Sequence, residues 1–136
     1  MTARKTESSL YNPVSRYVRR RNFRWQHPEV QFYAYRIDLY AFSRVDDLTI
    51  AVELKLLKWK RAFEQAILYQ LCADLAYIAV PLTTIARIDV QLLRRHGIGL
   101  LAVDPGDRCH HVLQAARSAV LRQSYRSDFI AFLRKG

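Results

Sequence analysis

Residues 36–55 decide the fold. They read Arg36-Ile37-Asp38-Leu39-Tyr40-Ala41-Phe42, then Ser43-Arg44-Val45-Asp46-Asp47, then Leu48-Thr49-Ile50-Ala51-Val52-Glu53-Leu54-Lys55. Both outer segments are rich in β-branched and aromatic residues, which is typical of strands. The polar segment between them can form a tight connection. The stretch therefore predicts a β-hairpin.

Two acids and a lysine lie in these apolar strands. Side chains alternate between the two faces of a strand, so Glu53 and Lys55 project from the same face. Asp38 is near the start of the first strand and Glu53 near the end of the second, so the folded hairpin brings the two carboxylates side by side. Charged groups avoid burial unless they are paired or bind a metal. One interpretation is a salt bridge of Lys55 with either acid at the strand edge, and the other is a metal site.

The metal site is the interpretation we favour. Two close carboxylates and a backbone carbonyl, here that of Leu54, suit Mg²⁺, which prefers hard oxygen ligands and keeps several waters. Mn²⁺ is expected to substitute for it. Lys55 can then position or deprotonate a water for in-line attack on a phosphodiester.

Asp38 followed by Glu53-Leu54-Lys55 resembles the motif of the PD-(D/E)xK nuclease superfamily. The segment Gln65-Ala66-Ile67-Leu68-Tyr69 is similar to the Gln-x-x-x-Tyr element of the recombination-exonuclease branch. Glu7, the segment at residues 10–14 and Glu29-Val30 are similar to small members with one such domain. The resemblance covers most of residues 7–104. It departs at Arg36-Ile37, where some members have a proline, but that proline is not a ligand.

The resemblance implies a restriction-endonuclease-like fold, with a mixed central sheet flanked by helices. It also implies that Gln65 and Tyr69 support the metal site or a substrate phosphate, and that Glu7 touches the metal site. Without the resemblance, Gln65 and Tyr69 form an ordinary exposed contact four residues apart on a helix. Glu7 is then a first-turn acid that complements the helix dipole. Glu29 is a further candidate acid, for which we favour a surface position.

Composition points to a polyanionic partner. The 136 residues carry a net charge of +10, and 51% of them are hydrophobic, which predicts one packed domain. Such a charge favours nucleic acid first and an anionic membrane surface second. No apolar run approaches the roughly 20 residues of a membrane span. The N-terminal residues predict no secretory signal. Cys72 and Cys109 are expected to be reduced thiols of a cytoplasmic protein.

Basic residues are concentrated in two places, with Phe23 and Trp25 among the first group. A basic run is often only a solvated face, but this density beside aromatic residues favours contact with the phosphate backbone. The candidate DNA-binding residues are Arg16, Arg19, Arg20, Arg21, Arg24, Lys58, Lys60 and Arg61.

Hydrophobic periodicity predicts the remaining elements. Helices are expected at residues 7–21, 56–77, from Thr83 or Thr84 to His96, and from about 112 to 121, with a short one near 129–133. Strands are expected at residues 29–35, 77–80 and 98–103, the last two parallel. The chain is thus a single domain of residues 1–136, with a core at about 7–104 and a C-terminal helical extension at about 105–136. That extension packs on its own domain or on a second subunit. Cys109-His110-His111 is not expected to bind zinc, since neighbouring positions do not easily converge on one ion.

These observations predict a Mg²⁺-dependent deoxyribonuclease that acts in repair, recombination or restriction. Asp38 and Glu53 hold the metal with the Leu54 carbonyl, and Lys55 serves the attacking water. Two alternatives stay open: a non-catalytic nucleic-acid-binding module on the same fold, and a subunit that dimerises through its C-terminal helices.

Overall fold

The computed structural model describes residues 6–135. A short 3-10 helix, Glu7–Leu10, leads into the first α-helix, and a second one, Leu82–Arg87, follows the fourth strand. The α-helices are α1 Tyr11–Arg20, α2 Trp59–Tyr69, α3 Val90–Arg95 and α4 Gln123–Lys135. The strands are β1 Trp25–Phe32, β2 Tyr35–Ser43, β3 Leu48–Leu54, β4 Leu75–Pro81, β5 Gly99–Val103 and β6 Cys109–Leu113.

The strands form a six-stranded mixed sheet in the order β1-β2-β3-β4-β5-β6. The predicted hairpin is confirmed, because β2 and β3 pair antiparallel with Leu39 opposite Val52. The predicted parallel pairing of β4 with β5 is also confirmed, and β3 pairs parallel with β4. β1 and β6 are antiparallel to their neighbours. The protein is therefore an α/β protein with a mixed open sheet flanked by helices, as the sequence predicts.

The two central parallel strands are buried along their whole length. Every residue of β4 and of β5 is buried, as expected for strands covered by helices on both faces. The connection from β3 to β4 runs through α2, and parallel strands need a crossover of this kind. α3 begins at Asp89, whose carboxylate caps the Leu92 N–H. It ends before Gly97, whose φ of +72° is strained for residues with a side chain.

Helices cover the sheet unequally. α1 packs on one face, here called the α1 face, where Val14 and Val18 meet Leu39, Val52 and Leu101. α2, α3 and α4 pack on the other, the α2 face, around a cluster that includes Tyr40 and Ile78. No helix among residues 6–135 is long and apolar enough to cross a membrane.

Several element boundaries differ from the predictions. The first strand begins at Trp25 and not at Glu29, and Pro28 is tolerated because β1 lies at the sheet edge. The helix expected at 56–77 ends at Tyr69, where a turn precedes β4. The helix expected to begin at Thr83 or Thr84 is divided into a 3-10 helix and α3.

The helix predicted at 112–121 is wrong. Cys109–Leu113 forms β6, which pairs with β5, and residues 114–122 run without regular structure. This segment is held by hydrogen bonds from the Ser118 N–H to the Asp74 carbonyl and from the Arg122 N–H to the Leu71 carbonyl. The C-terminal extension is thus helical only in α4, which is longer than the predicted short helix. It packs on its own domain, against β1 and β2.

Candidate active site

Strand pairing places Asp38 and Glu53 together. Leu39 is opposite Val52, so the next pair outward in the same register is Asp38 and Glu53. The Glu53 carboxylate reaches Tyr69 of α2, whereas Asp38 lines a pocket with Glu7, Tyr11 and Leu54. The Leu54 N–H donates to Asp38 Oδ2 at 2.7 Å. Glu53 is 5% exposed and Asp38 is half-buried, so the carboxyl pair lies at the boundary between the core and solvent.

Burial and proximity raise the pKa of both acids. Burial is the larger cause for Glu53, and with the neighbouring Asp38 charge it raises the pKa of Glu53 to about 8. Burial also raises the pKa of Asp38, and the Glu7 charge adds to it, although the Leu54 hydrogen bond acts in the opposite direction. Two close carboxylates resist simultaneous ionisation. The pair is therefore an environment that a cation would stabilise.

Lys55 lies next to the carboxyl pair without forming an ion pair with it. Its N–H donates to the Ala79 carbonyl at 3.0 Å, which fixes the backbone immediately after β3. Its Nζ is 4.0 Å from Glu7 Oε1. Among residues 6–135, no ion pair joins Lys55 to Asp38 or Glu53. The ammonium charge still lowers the pKa of both acids, so the strand-edge salt bridge is not formed but Lys55 acts on the pair.

α2 adds a hydroxyl and an amide to the site. The fully buried Tyr69 donates its O–H to Glu53 Oε1 at 2.9 Å, and it also reaches the Arg36 carbonyl at 3.4 Å. Burial, with the Glu53 charge next, raises the pKa of Tyr69, so the hydroxyl keeps its proton. Gln65 Oε1 is buried without a hydrogen-bond partner among residues 6–135. The interpretation of Gln65 and Tyr69 as an ordinary exposed contact is therefore wrong.

An open pocket of about 300 Å³ gives access to Asp38. Glu7, Tyr11, Glu29 and Leu54 are among its other lining residues. Tyr11 was missed by the sequence analysis, although its position four residues after Glu7 puts both on one side of the chain. The pocket shows that the Asp38 side of the carboxyl pair is accessible from solvent.

Glu29 has the surface position expected for it. Its φ of +54° interrupts the pairing between Pro28–Leu39 and Val30–Ile37, directly opposite Asp38. Its carboxylate is exposed and lies 3.7 Å from Arg36 Nη1. A non-glycine residue in the left-handed region costs about 1 kcal/mol or more, so this backbone distortion beside Asp38 is a feature of the site.

The predicted DNA-binding residues do not form one surface, because some lie toward the carboxyl ends of the parallel strands and others toward the amino ends. Lys58, Lys60 and Arg61 are exposed and follow the carboxyl end of β3, next to Glu53. Arg20 and Arg21 line a pocket with Leu48 and Leu75, at the amino ends of β3 and β4. Arg24 lies by the β2–β3 turn, Arg16 and Arg19 are exposed on α1, and Arg16 Nη2 is 3.5 Å from the Asp107 carbonyl. Of these residues, only Lys58, Lys60 and Arg61 follow directly on the strand that carries Glu53.

Cys109, His110 and His111 have different partners. Cys109 is buried against the α1 cluster, His110 Nε2 is 2.8 Å from Asp104 Oδ2, and His111 Nε2 is 3.0 Å from the Tyr77 hydroxyl. The three side chains therefore do not converge.

No protein-family model matches this sequence, and no curated protein matches it. A solved structure does match. It is that of a protein of unknown function from Silicibacter pomeroyi, which is 19% identical and has a TM-score of 0.75. The match covers 98% of this chain and 87% of the other. The two proteins share a fold.

Proposed function

We propose that this protein is a Mg²⁺-dependent nuclease of the PD-(D/E)xK type that hydrolyses DNA phosphodiester bonds on a restriction-endonuclease-like fold. One observation carries the proposal: Asp38 and Glu53 are held together in a largely buried place, with raised pKa values and no ion-pair partner among residues 6–135. Such an arrangement costs free energy in the folded protein. Titratable groups perturbed in this way are concentrated at functional sites.

The donor atoms fit a hard divalent cation. The two carboxyl groups supply oxygen ligands, which Mg²⁺ and Mn²⁺ prefer. Gln65, one helical turn before Tyr69 on α2, has a buried Oε1 that lacks a partner among the described residues. The Leu54 carbonyl is the backbone ligand that we propose. When bound, the cation would polarise a phosphate oxygen and stabilise negative charge that develops on it.

The remaining roles in the reaction fall to side chains of the protein. Lys55 Nζ orients the attacking water, and a deprotonated Lys55 would take that water's proton. It would thereby become the ammonium that Glu7 holds at the site and that stabilises the phosphorane charge. Tyr69 fixes the orientation of Glu53 by donating to Oε1. Lys58, Lys60 and Arg61 hold the DNA backbone beside the carboxyl pair, in keeping with the net charge of +10.

Metal titration with a cleavage assay tests the proposal. Calorimetry with Mn²⁺ should show binding to the wild type, and Asp38→Asn and Glu53→Gln should each abolish it while the fold is kept. The matched control is Asp128→Asn, which removes an exposed acid on α4 and should bind Mn²⁺ as the wild type does. Cleavage is assayed on duplex, junction, flap and single-stranded DNA and on RNA, with Mg²⁺, with Mn²⁺ and with chelator.

The outcomes separate the candidate functions. Chelator-sensitive cleavage that is lost in both site variants supports the nuclease. Unchanged Mn²⁺ affinity in both variants contradicts the metal site. DNA binding without cleavage or metal binding favours the non-catalytic binding module. The observation that supports this module is the placement of Arg20 and Arg21 away from the carboxyl pair, at the amino ends of β3 and β4.

A further inference from the structure

A second pocket, of about 370 Å³, lies under the carboxyl end of α1 on the α1 face of the sheet. We call it the α1 pocket. Its floor is apolar and includes Ile50 of β3, Leu75 of β4 and Leu101 of β5. It shares no lining residue with the pocket at Asp38. Its volume is in the range of small-ligand sites, which usually measure about 300–1,000 Å³.

Three rings from three different elements line the α1 pocket: Tyr17 of α1, Tyr77 of β4 and His111 of β6. The ring centroids of Tyr77 and His111 are 5.5 Å apart, and those of Tyr17 and His111 are 6.1 Å apart. Gly99 allows this arrangement, because a Cβ at that position would overlap the Tyr77 ring. The pocket is therefore bordered by aromatic surfaces that the sheet holds in place.

Hydrogen bonds hold the Tyr77 and His111 rings in place. The Tyr77 oxygen accepts the Ala115 N–H at 3.2 Å, so its own O–H is available to donate to His111 Nε2 at 3.0 Å. Burial lowers the pKa of His111, and the Arg21 charge lowers it further, so the imidazole is neutral near pH 7. Flat aromatic rings offer surfaces against which another flat group can stack.

Two guanidinium groups stand at the rim of the α1 pocket. The Arg21 Cζ lies 5.8 Å from the Tyr17 ring centroid, and its Nη1 donates to the Tyr17 hydroxyl at 3.3 Å. Within residues 6–135, neither Arg20 nor Arg21 is in an ion pair. The rim also has one acid, Asp46, whose Oδ2 accepts the Ser43 hydroxyl at 3.2 Å. An anion is thus favoured on the α1 side of the rim and disfavoured at the β2–β3 turn.

We propose that the α1 pocket binds one nucleotide, with its base against the aromatic rings over the apolar floor and its phosphate at Arg20 and Arg21. Every nucleobase offers a flat π-face, and base–aromatic stacking contributes to affinity without regard to sequence. Guanidinium groups suit phosphate oxygens because they donate two parallel hydrogen bonds. Asp46 and the Asn22 side chain supply acceptors that fit an exocyclic amino group of the base.

This site is separate from the proposed nuclease centre. β3 runs from one to the other, and its seven residues span about 20 Å. The nucleotide has two sources, a free nucleoside monophosphate or a unit of single-stranded DNA whose other part reaches the carboxyl pair. The binding needs no metal, so it can be measured with chelator present, and its failure is independent of the nuclease proposal.

Binding of dAMP and of a short single-stranded oligonucleotide, measured by calorimetry with chelator at physiological salt, tests the proposal. The double variant Arg20→Ala, Arg21→Ala should weaken binding at least about tenfold, because hydrogen bonds to charged groups are lost. The matched control Arg94→Ala, Arg95→Ala removes the same charge from two exposed positions of α3 outside the pocket, and it should weaken binding by no more than about twofold. Equal losses in the two double variants would show that only non-specific charge attracts the nucleotide and would overturn the proposal.

A second pair of variants tests the aromatic wall. Tyr17→Ala should weaken binding of the oligonucleotide by about 5-fold to 100-fold, whereas Tyr17→Phe keeps the ring and should bind as the wild type does. Gln114→Trp, at an exposed lining position, should block binding by filling the pocket. Affinity for the oligonucleotide far above that for dAMP identifies a strand as the source, and equal affinities identify a free nucleotide.

One measurement on the wild type does not depend on how the variants fold. Titration with dAMP should shift the amide resonances of residues 17–23 and of His111 more than those of residues 55–61. Shifts confined to residues 55–61, or no shifts at millimolar dAMP, would overturn the proposal.

Discussion

A buried acid lies at each end of β3: Asp74, which precedes β4, at the amino end and Glu53 at the carboxyl end. The pKa values of the two acids are shifted in opposite directions. At the amino end, Asp74 accepts the Thr49 N–H at 2.8 Å, the Thr49 hydroxyl at 2.9 Å and Arg126 Nε at 2.9 Å. Burial acts to raise the pKa of Asp74, but these donors outweigh it and the pKa is lowered. At the carboxyl end, Glu53 faces Asp38, and among residues 6–135 its one hydroxyl donor is Tyr69; its pKa is raised.

The difference shows that burial alone does not tell a structural acid from a functional one. Asp74 has its cation built into the fold, since Arg126 also bonds Asp47 and so joins α4 to the β2–β3 turn. The Asp38–Glu53 pair has no such cation among residues 6–135. An acid whose charge is already compensated stabilises the fold, whereas an uncompensated pair is available for a ligand.

The largest effect expected from this comparison is on chemistry at Lys55. Lys55→Ala should still bind Mn²⁺ and DNA but should cleave about 10²–10⁴-fold more slowly, as is typical when a positioned proton-transfer group is removed. Lys55→Arg should not rescue cleavage, because a guanidinium keeps its proton and has a planar shape. Single-turnover cleavage at saturating Mg²⁺ measures this, with Lys135→Ala, at an exposed position of α4, as control. Near-wild-type cleavage by Lys55→Ala would remove Lys55 from the mechanism.

Removal of Asp74 and removal of Asp38 should change the free energy of unfolding differently. Asp74→Ala leaves Arg126 and the Thr49 donors buried without their acceptor, so the free energy of unfolding should fall by about 3–5 kcal/mol. Asp38→Ala removes like-charge repulsion and should leave the free energy of unfolding unchanged or raised. Urea unfolding of both variants in chelator provides the comparison. Equal destabilisation would mean that the two ends of β3 are alike.

The salt dependence of the DNA-binding constant shows which basic residues contact the DNA backbone. Replacement of Arg19, Arg20 and Arg21 by Ala should flatten the slope of log K against log salt by up to about three units, roughly one for each lost phosphate contact. The same measurement on Lys58, Lys60 and Arg61 replaced by Ala is the matched comparison at the carboxyl pair. An unchanged slope in the arginine variant would show that those arginines face solvent and that the DNA backbone is bound at Lys58, Lys60 and Arg61.

The smallest expected effect is on how the free energy of unfolding depends on pH, measured without metal. The folded pKa of Asp74 lies below its unfolded value near about 3.9, so its stabilisation is present above that pH and is lost in acid. The folded pKa of Glu53, about 8, lies above the unfolded value near about 4.3, so stability falls as the pH rises between them.

Two amide variants separate these contributions in urea unfolding curves. The stability of Glu53→Gln relative to the wild type should increase from about pH 5 to about pH 8. The disadvantage of Asp74→Asn should shrink as the pH falls below about 4. Parallel pH profiles for the two variants would contradict the opposite pKa shifts.

Local patterns predicted the part of the fold that depends on short-range order. The hairpin strands are rich in β-branched and aromatic residues, and β4 and β5 are short apolar runs. All are bounded by polar or turn residues, and these signals can be read from the sequence alone. The meeting of Asp38 and Glu53 follows from the hairpin register alone. Tyr69 was placed by the resemblance to a known motif, and its bond to Glu53 is a finding of the structure.

The sequence predictions were wrong or incomplete where contacts between distant parts of the chain determine the structure. Val112, Leu113 and Ala116 have helical spacing, yet residues 109–113 form a strand because β5 has an open edge to pair with. The next segment is fixed by the backbone of Asp74 and Leu71, distant in sequence. Asp74 itself was missed, although an Asp immediately before a buried strand is a recognisable signal. The α1 pocket draws its lining from five elements and their connections, so no local pattern marks it.

The packing of α4 has a consequence for how the protein is made. Strand order follows chain order, so each strand can join the sheet as it leaves the ribosome. The aromatic face of β1 and β2 is different, because Phe32 and Tyr40 are covered by Phe129 of α4. During synthesis that face stays open until α4 has emerged. A nascent chain arrested before residue 123 therefore presents an uncovered aromatic surface to chaperones and proteases.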